Sequence, residues 1–233
     1  MTRKATAAVF AGVLGFILAG AAAPPAAAPA AAHSLRLGAP PAGTPLRLVL
    51  APSGNEVNYR VREQLAHHDL PNDAIGRTSA VTGALVIGSD GQVIPGESRF
   101  VANVSGLKSD HDRRDRYVRE RILQTDSFPN VTLVPTAIHG LRTPLPTSGA
   151  RNFTLDGKLT VHGVTRPTTW QVKANFDGQS ITGAASTGFT FDDFGLHQPH
   201  LSFLLNVADS IHLDYTFHLV PATGASTDAQ PQR

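Results

Sequence analysis

Strict alternation of apolar and polar residues is the sequence feature that most limits how this chain can fold. The alternation runs through the stretches 57–61, 153–162, 170–176 and 211–219. Because successive side chains of a β-strand point to opposite faces, a period of two predicts strands with one buried face and one wet face. The chain is therefore predicted to be an all-β protein.

Two Asp-Gly pairs predict where neighbouring strands turn back on one another. Asp90-Gly91 and Asp177-Gly178 each lie between apolar alternating runs. This dipeptide favours the type I′ turn, in which both central residues have positive φ. The strands are therefore expected to be mostly sequential neighbours in an antiparallel sheet. Closure into a barrel or a sandwich would then remove the exposed edges of so large a sheet.

One segment breaks the period of two and is expected to be helical. Val118 and Ile122 lie four residues apart, as on one face of a helix. Ser109, with Asp112 three residues later, fits a loose form of the capping box. We predict one helix over about residues 113–123, set between strands.

Charges of both signs crowd this predicted helix and allow two interpretations. They could form a solvated helix face held by i, i+4 pairs, such as Asp115 with Arg119. Alternatively, they could form a polar mouth that holds a ligand head group, where arginine would suit phosphate or carboxylate. The charged residues are Asp110, Asp112, Arg113, Arg114, Asp115, Arg116, Arg119, Glu120 and Arg121.

The two ends of the chain differ from its middle. Residues 1–32 carry two positive charges near their start, Arg3 and Lys4, followed by an apolar run, as in a signal peptide. The segment ends in a stretch of only Pro and Ala, as in a linker. Residues 44–221 suit one domain with a sizeable core. Residues 222–233 are small and polar, and are expected to form a disordered tail. We therefore expect a periplasmic or secreted protein with no stable membrane span after cleavage.

Composition excludes several function classes. The chain has no cysteine, so it has no disulfide, no thiolate nucleophile and no cysteine metal site. It has 20 Lys+Arg and 18 Asp+Glu. Removing Arg3 and Lys4 leaves 18 of each sign, so the mature chain is near neutral and no nucleic-acid partner is expected.

No motif points firmly to catalysis or to a cofactor. The chain lacks a Gly-x-Ser-x-Gly elbow and a phosphate-binding loop, so no enzyme activity and no cofactor are expected. The strongest alternative is a metal-dependent hydrolase that uses Asp193, His197 and His200. Pro199 favours a polar loop at a barrel rim over a metal-binding helix at this place, and no metal is expected. The small residues at 183–188 could leave room for a ligand or allow close packing.

Six motifs, taken together, resemble the YceI-like family. They are Arg114-Asp115, then Ile122-Leu123, FPNVTL at 128–133, LDGKLTVHGVTRP at 155–167, FDDFGL at 191–196 and VADSI at 207–211. The resemblance implies a single extended, eight-stranded, antiparallel, lipocalin-like barrel crossed by one helix. Family members are bacterial, many are exported, and some bind polyisoprenoids or other long apolar molecules in the barrel.

The resemblance and the alternation together lead to a functional expectation. We expect the barrel to bind a long-chain lipid such as a polyisoprenoid, for storage or transport outside the cytoplasm. A ligand-free scaffold and the metal-dependent hydrolase are the alternatives, and a homodimer is left open. The residues expected at the ligand site are Tyr59, Phe100, Arg114, Asp115, Leu123, Phe128, Phe153, Leu155, Leu159, Trp170, Phe189, Phe191 and Phe194. Trp170 follows Pro167 closely and is expected near one end of its strand, where the indole N–H can find a partner.

Overall fold

The computed structural model describes residues 44–66 and 70–222. The predicted signal segment and linker at 1–32, and the predicted tail beyond Ala222, lie outside the described residues. The strands are β1 (Leu46–Leu50), β2 (Glu56–Leu65), β3 (Asn72–Thr78), β4 (Val81–Ile87), β5 (Arg99–Asn103), β6 (Asn130–His139), β7 (Gly149–Val161), β8 (Val164–Phe176), β9 (Ile181–Thr190) and β10 (Leu204–Pro221).

Eight of the strands in the described part close into an antiparallel ring. Their order is β1, β4, β5, β6, β7, β8, β9 and β10, and β10 pairs back with β1. The strand β10 is 18 residues long, so one of its edges has room for both β1, at Leu219, and β2, at Leu213. β3 in turn pairs with β2 and extends the same wall. The eight-stranded antiparallel barrel predicted from the sequence is confirmed.

The alternation of the sequence becomes the inside and the outside of the barrel wall. On β8, Trp170, Val172, Ala174 and Phe176 are buried, while the residues between them are exposed. The same alternation on β10 buries every second residue from Ile211 to Leu219. These side chains belong to one continuous apolar cluster inside the ring. The period of two therefore decides which side chains face the interior.

The two Asp-Gly turns form, but the prediction of type I′ geometry for them is wrong. Only the glycines have positive φ, 81° at Gly91 and 83° at Gly178. The Asp177 carboxylate instead accepts backbone N–H bonds from within the turn, with the N–H of Ser180 at 2.6 Å. A side chain that bonds its own turn replaces the need for a left-handed residue at that position.

The turn between β7 and β8 has the geometry expected at the Asp-Gly pairs. His162 and Gly163 have φ of 50° and 76°, and Val161 pairs directly with Val164. Both central residues are therefore left-handed, as a two-residue hairpin of type I′ requires. The ring of Phe128 lies on His162, with 4.5 Å between ring centroids, and holds this turn against the segment that follows the helix.

The predicted helix forms close to its predicted range but changes its winding. α1 spans Asp112–Tyr117 and continues as a π-helical turn over Val118–Ile122. A single-turn 3₁₀ segment, Asp192–Phe194, follows β9. None of the helices in the described ranges is both long and apolar enough to cross a membrane.

The polar contacts of the helix differ from those predicted. The residue at the N-terminal cap of α1 is His111, so the prediction that Ser109 forms a capping box is wrong. The Ser109 hydroxyl and N–H both donate to the buried carboxylate of Asp115, at 2.6 and 2.7 Å. Arg119 donates to the Leu107 carbonyl at 2.8 Å. These bonds attach the helix to the preceding loop, whereas an i, i+4 pair would have left both charges in water.

Candidate binding cavity

Two apolar chambers lie one above the other inside the ring. Successive inward residues of the same strand divide between them: on β10, Tyr215 and Phe217 border one chamber, while Ile211 and Leu213 border the other. Their cavity volumes are about 60 and 100 Å³. Because adjacent inward positions border different chambers, the two spaces are stacked along the barrel axis.

The first space, here called the loop-side chamber, reaches the connection between β6 and β7. Its wall combines strand residues with Leu141 and Leu145 of that connection. The lining residues are Leu48, Leu85, Ile87, Phe100, Leu133, Ile138, Leu141, Leu145, Phe153, Leu155, Trp170, Val172, Phe176, Ile181, Ala185, Tyr215, Phe217 and Leu219. Four residues predicted at the ligand site, Phe100, Phe153, Leu155 and Trp170, lie here.

The second space, here called the helix-side chamber, is bordered by the π-helical turn. The lining residues are Val57, Tyr59, Val61, Ala102, Val104, Leu107, Val118, Ile122, Leu123, Val131, Val161, Phe189, Phe191, Leu196, Ile211 and Leu213. Four more predicted residues, Tyr59, Leu123, Phe189 and Phe191, lie here. Each of the two chambers is thus lined by side chains from most of the strands of the ring.

Three of the predicted apolar residues border neither chamber. Leu159 is 1% exposed and belongs to the packed core. Phe194 is fully buried and its ring lies edge-on to Phe189, with 4.6 Å between centroids. Phe128 contacts the β7–β8 turn through His162. These residues support the wall of the barrel from within or from its rim.

Trp170 lies in the middle of β8, so its predicted place near a strand end is wrong. It is the seventh of the 13 residues of this strand and is 3% exposed. Its indole N–H donates to the Thr168 hydroxyl at 3.1 Å. The N–H thus has a hydrogen-bond partner, as predicted. The partner is Thr168, two residues earlier on the same strand, and not a group at the rim of the barrel.

A group of five polar residues stands beside the helix-side chamber. We call it the polar cluster: Tyr59, Glu63, Asn72, Asp110 and Arg114. Arg114 Nη2 donates to Glu63 Oε1 at 2.7 Å, and Asn72 Nδ2 donates to the same oxygen at 3.1 Å. A second nitrogen of Arg114 pairs with Asp110. The side chains of Arg114 and Glu63 are only 14% and 10% exposed, so this ion pair is largely shielded from water.

Tyr59 connects the polar cluster to the helix-side chamber. Burial raises the pKa of its phenol to about 12, and the nearby Arg114 charge offsets only part of that rise. The hydroxyl therefore stays protonated at neutral pH and remains able to donate a hydrogen bond. The ring lies over Gly76 of β3, where any Cβ would stand 2.3 Å from Tyr59 Cε1. This glycine makes room for the tyrosine.

The charges of the polar cluster disfavour the binding of an anion. Arg114 is its one cationic member and is already engaged by both Glu63 and Asp110. Desolvation alone would raise the pKa of Asp110, but the Arg114 charge and hydrogen bonds outweigh it and bring that pKa below its ordinary value. Asp110 is thus ionised at neutral pH, and Arg114, which is paired with both Glu63 and Asp110, has no spare charge for a phosphate.

The charged residues of the helix divide between an exposed face and an inward-facing set. Arg113, Arg116, Glu120 and Arg121 are exposed and form a solvated face. Arg114 turns inward to the polar cluster, and the buried Asp115 bonds to Ser109. The sequence could not separate the two sets, because their charges alternate within a single turn.

A second tyrosine, which the sequence reasoning did not single out, stands inside the loop-side chamber. Tyr215 is 7% exposed, and its buried hydroxyl has no hydrogen-bond partner in the described structure. Its ring contacts Phe100 and Phe217 at centroid distances of 6.0 and 5.9 Å. The available signal was its position, an inward one within the alternation from 211 to 219.

Two of the small residues on β9, Gly183 and Ala185, have different surroundings. At Gly183, an added Cβ would stand 2.3 Å from the Lys173 carbonyl oxygen and 2.8 Å from Phe217 Cζ, so this position needs glycine for close packing. Ala185, two residues along, borders the loop-side chamber. Its methyl group leaves space that a larger side chain would fill.

The residues of the metal-dependent alternative lie on an exposed loop. Asp193 accepts bonds from the Thr190 N–H and hydroxyl at 2.7 and 2.9 Å, and these bonds lower its pKa. His197 and His200 are exposed in the irregular segment that follows. Within residues 44–66 and 70–222, no three His, Asp or Glu side chains form a group that could hold a metal ion.

Comparison with protein families gives one match that covers most of the barrel. The family profile described as the YceI-like domain matches residues 49–219. A UPF0312 protein of Shewanella oneidensis is 31% identical over 101 residues, which are 40% of this chain and 49% of the relative. A UPF0312 protein of Pseudomonas putida is 28% identical over 102 residues, 41% of this chain and 50% of the relative. The chain therefore spans about half the length of these curated relatives.

Solved structures share the fold at low sequence identity. A polyisoprenoid binding domain from Saccharophagus degradans aligns with a TM-score of 0.59 and 14% identity, over 76% of this chain and 99% of that domain. BcnA of Burkholderia cenocepacia aligns with a TM-score of 0.51 and 18% identity, over 72% and 96%. A YceI protein of Campylobacter jejuni gives 0.52 and 12%, over 69% and 91%. At these identities the likeness shows the barrel architecture.

Proposed function

Since this chain belongs to the YceI-like domain family, we propose that it binds one long apolar lipid, a polyisoprenoid or a similar molecule, inside the barrel. The observation that carries the proposal is the pair of stacked apolar chambers on the axis of the ring. A small barrel can fill its interior with side chains, whereas this one keeps open space between them. The name of the Saccharophagus degradans neighbour, a polyisoprenoid binding domain, supports the same ligand class.

The proposed role is binding and not catalysis. A long chain would be held by burial of its carbons against the two linings, a contact that needs no reactive group. The signal-like segment at 1–32 supports storage or transport of the lipid outside the cytoplasm.

We propose further that the polar end of the lipid lies at the polar cluster and carries no charge. Tyr59 borders the helix-side chamber and presents a protonated hydroxyl beside Glu63. An anionic head group would meet the carboxyl groups of Glu63 and Asp110 and an arginine already paired with both of them. Hydrogen bonding to an alcohol is compatible with this arrangement, whereas a diphosphate would bring like charges together.

The first experiment looks for the lipid itself. Native mass spectrometry of the protein purified from a bacterial host should show a non-covalent adduct of one lipid per chain, removed by organic solvent. The stripped protein should then bind added prenols with a change in emission from Trp170, the single tryptophan of the chain. A bare protein mass, together with no response to prenols of any length, would support the ligand-free scaffold instead.

The second experiment tests the head group. A prenol and the prenyl diphosphate of the same chain length should differ in affinity, with the alcohol binding more tightly. Glu63→Gln should narrow this difference by removing a negative charge from the cluster. Asp73→Asn is the matched control, because Asp73 pairs with Arg62 at the barrel surface and its loss should leave the difference unchanged. Tighter binding of the diphosphate to the unaltered protein would contradict the proposed charge of the head group.

A further inference from the structure

The loop-side chamber has two lining residues with polar side-chain atoms, and the two are in different states. Trp170 and Tyr215 both border it among otherwise apolar side chains. The indole N–H of Trp170 already donates to Thr168. The Tyr215 hydroxyl is buried and donates to no group of the described structure. A buried polar group without a partner is costly, so this hydroxyl needs an explanation.

Water is a poor partner for this hydroxyl. An ordered buried water is stable when it finds about two to four polar partners. In this chamber the remaining lining is aliphatic or aromatic, and the one other N–H is satisfied by Thr168. A water at Tyr215 would therefore gain one hydrogen bond and lose the others it makes in bulk solvent.

Burial also determines what the hydroxyl can offer. It raises the pKa of the Tyr215 phenol above its ordinary value, so the group stays neutral at physiological pH. A neutral phenol can donate one hydrogen bond to an oxygen acceptor. It would not be expected to recognise a cation by charge, and the surrounding apolar wall disfavours any charged ligand atom.

On these grounds we propose that the lipid in this barrel carries an uncharged oxygen acceptor, such as a carbonyl or ether oxygen, in the loop-side chamber, and that Tyr215 donates a hydrogen bond to it. The inference rests on the proposed lipid-binding function and narrows its ligand class. A pure hydrocarbon chain would leave the hydroxyl unpaired. A lipid with an internal oxygen satisfies it.

Along β2, Tyr215 is further from Glu63 than from Tyr59, which lies two residues from Val57. Tyr215 pairs with Val57, whereas Glu63 stands six residues further along β2. At about 3.3 Å per residue the two positions are roughly 20 Å apart along the strand. The acceptor is therefore a second polar point on the ligand, separated along the barrel from Glu63, and its position along the lipid chain should affect the affinity.

The test uses octadecane and a series of octadecanones in which the ketone moves along the chain, added to stripped protein and followed by Trp170 emission. We expect the unaltered protein to bind the best-placed ketone about five- to tenfold more tightly than octadecane, the gain of one neutral hydrogen bond. Tyr215→Phe should bind that ketone and octadecane equally, with octadecane affinity as in the unaltered protein. Tyr117→Phe is the matched control, because Tyr117 ends α1 and borders neither chamber, so the preference should persist.

Four results would overturn the inference. Equal binding of octadecane and every ketone by the unaltered protein would show that no acceptor is recognised, while leaving lipid binding intact. A ketone preference that survives in Tyr215→Phe would assign recognition to another group. Failure to bind any of these molecules would remove the proposed function as well. Thermal unfolding of Tyr215→Phe should occur at or above the temperature of the unaltered protein, and a marked fall would show that the hydroxyl is already paired.

Discussion

Replacing Ala185 with leucine should shorten the lipid that the barrel can hold. Ala185 faces inward from β9, borders the loop-side chamber and pairs with Tyr215 on one side and Val172 on the other. A leucine side chain there would project between these two neighbours into the open space. A lipid entering from the helix-side chamber would then find the second chamber closed.

The size of the effect follows from the carbons excluded. At roughly 0.8 kcal/mol per buried CH₂, an isoprene unit of about five carbons contributes at most about 4 kcal/mol. Ordering the flexible unit offsets a part of this, and about 2 kcal/mol per unit remains, or roughly 30-fold in Kd. Inward positions from Ile211 to Leu219 span about 26 Å of strand, or about 20 Å of the tilted barrel axis. More than one unit can therefore be lost.

The assay is the affinity of stripped protein for prenols of increasing length, starting from farnesol. For the unaltered protein, affinity should rise with each added unit until both chambers are filled. For Ala185→Leu the rise should stop earlier, so short prenols bind normally and the longest ones lose at least about 30-fold. Ala184→Leu is the matched control, since Ala184 is the adjacent residue on the exposed face. A folded Ala185→Leu protein whose affinity keeps rising with length would refute the two-chamber path.

Three further predictions concern stability. Glu63→Ala should lower the free energy of unfolding by about 2–4 kcal/mol in urea titrations, because it leaves the shielded Arg114 charge without its closest partner. Gly76→Ala should cost about 1–3 kcal/mol in the same assay, because the new Cβ collides with the Tyr59 ring. Hydrogen bonds from the turn, first that of the N–H two residues on, lower the pKa of Asp177. The stability that ionised Asp177 contributes is thus present above the ordinary pKa of an aspartate and is lost as the pH falls through the lowered pKa. In that pH range, the melting temperature of Asp177→Asn should fall less steeply than that of the unaltered protein.

The ring of strands could be predicted where each strand carries its own pattern. β7, β8 and β10 alternate over long stretches, and all three form as expected. β3 has no such pattern: its sequence is Asn-Asp-Ala-Ile-Gly-Arg-Thr. It forms because β2 offers an unpaired edge along its whole length, and because Gly76 accepts the ring of a residue on that neighbour. Local periodicity in the sequence does not predict a strand that forms because of its pairing partner.

The site divides in a similar way between local and distant information. Tyr59 and Trp170 were predicted as lining because the alternation along their strands makes both positions inward-facing. The partner of Arg114 could not be predicted, since Glu63 lies 51 residues away in the chain. The contact exists only once β2 is paired with β10 and the helix packs beside them. Charged residues at the helix therefore suggested an anion site until their partners were known.

Tyr215 and Trp170 show where alternation stops being informative. Each is an aromatic residue with one polar atom, and each occupies an inward position of a long strand, so pattern alone treats them alike. They differ in whether the polar atom finds a hydrogen-bond partner on its own strand. The indole N–H donates to Thr168, two residues along the same strand, whereas the Tyr215 hydroxyl is buried without a partner in the described structure, on a residue that borders the loop-side chamber. A polar atom that local sequence can satisfy is a packing detail. One that only the closed barrel isolates is the stronger candidate for contact with a ligand, and this difference is the basis of the hydrogen bond proposed for Tyr215.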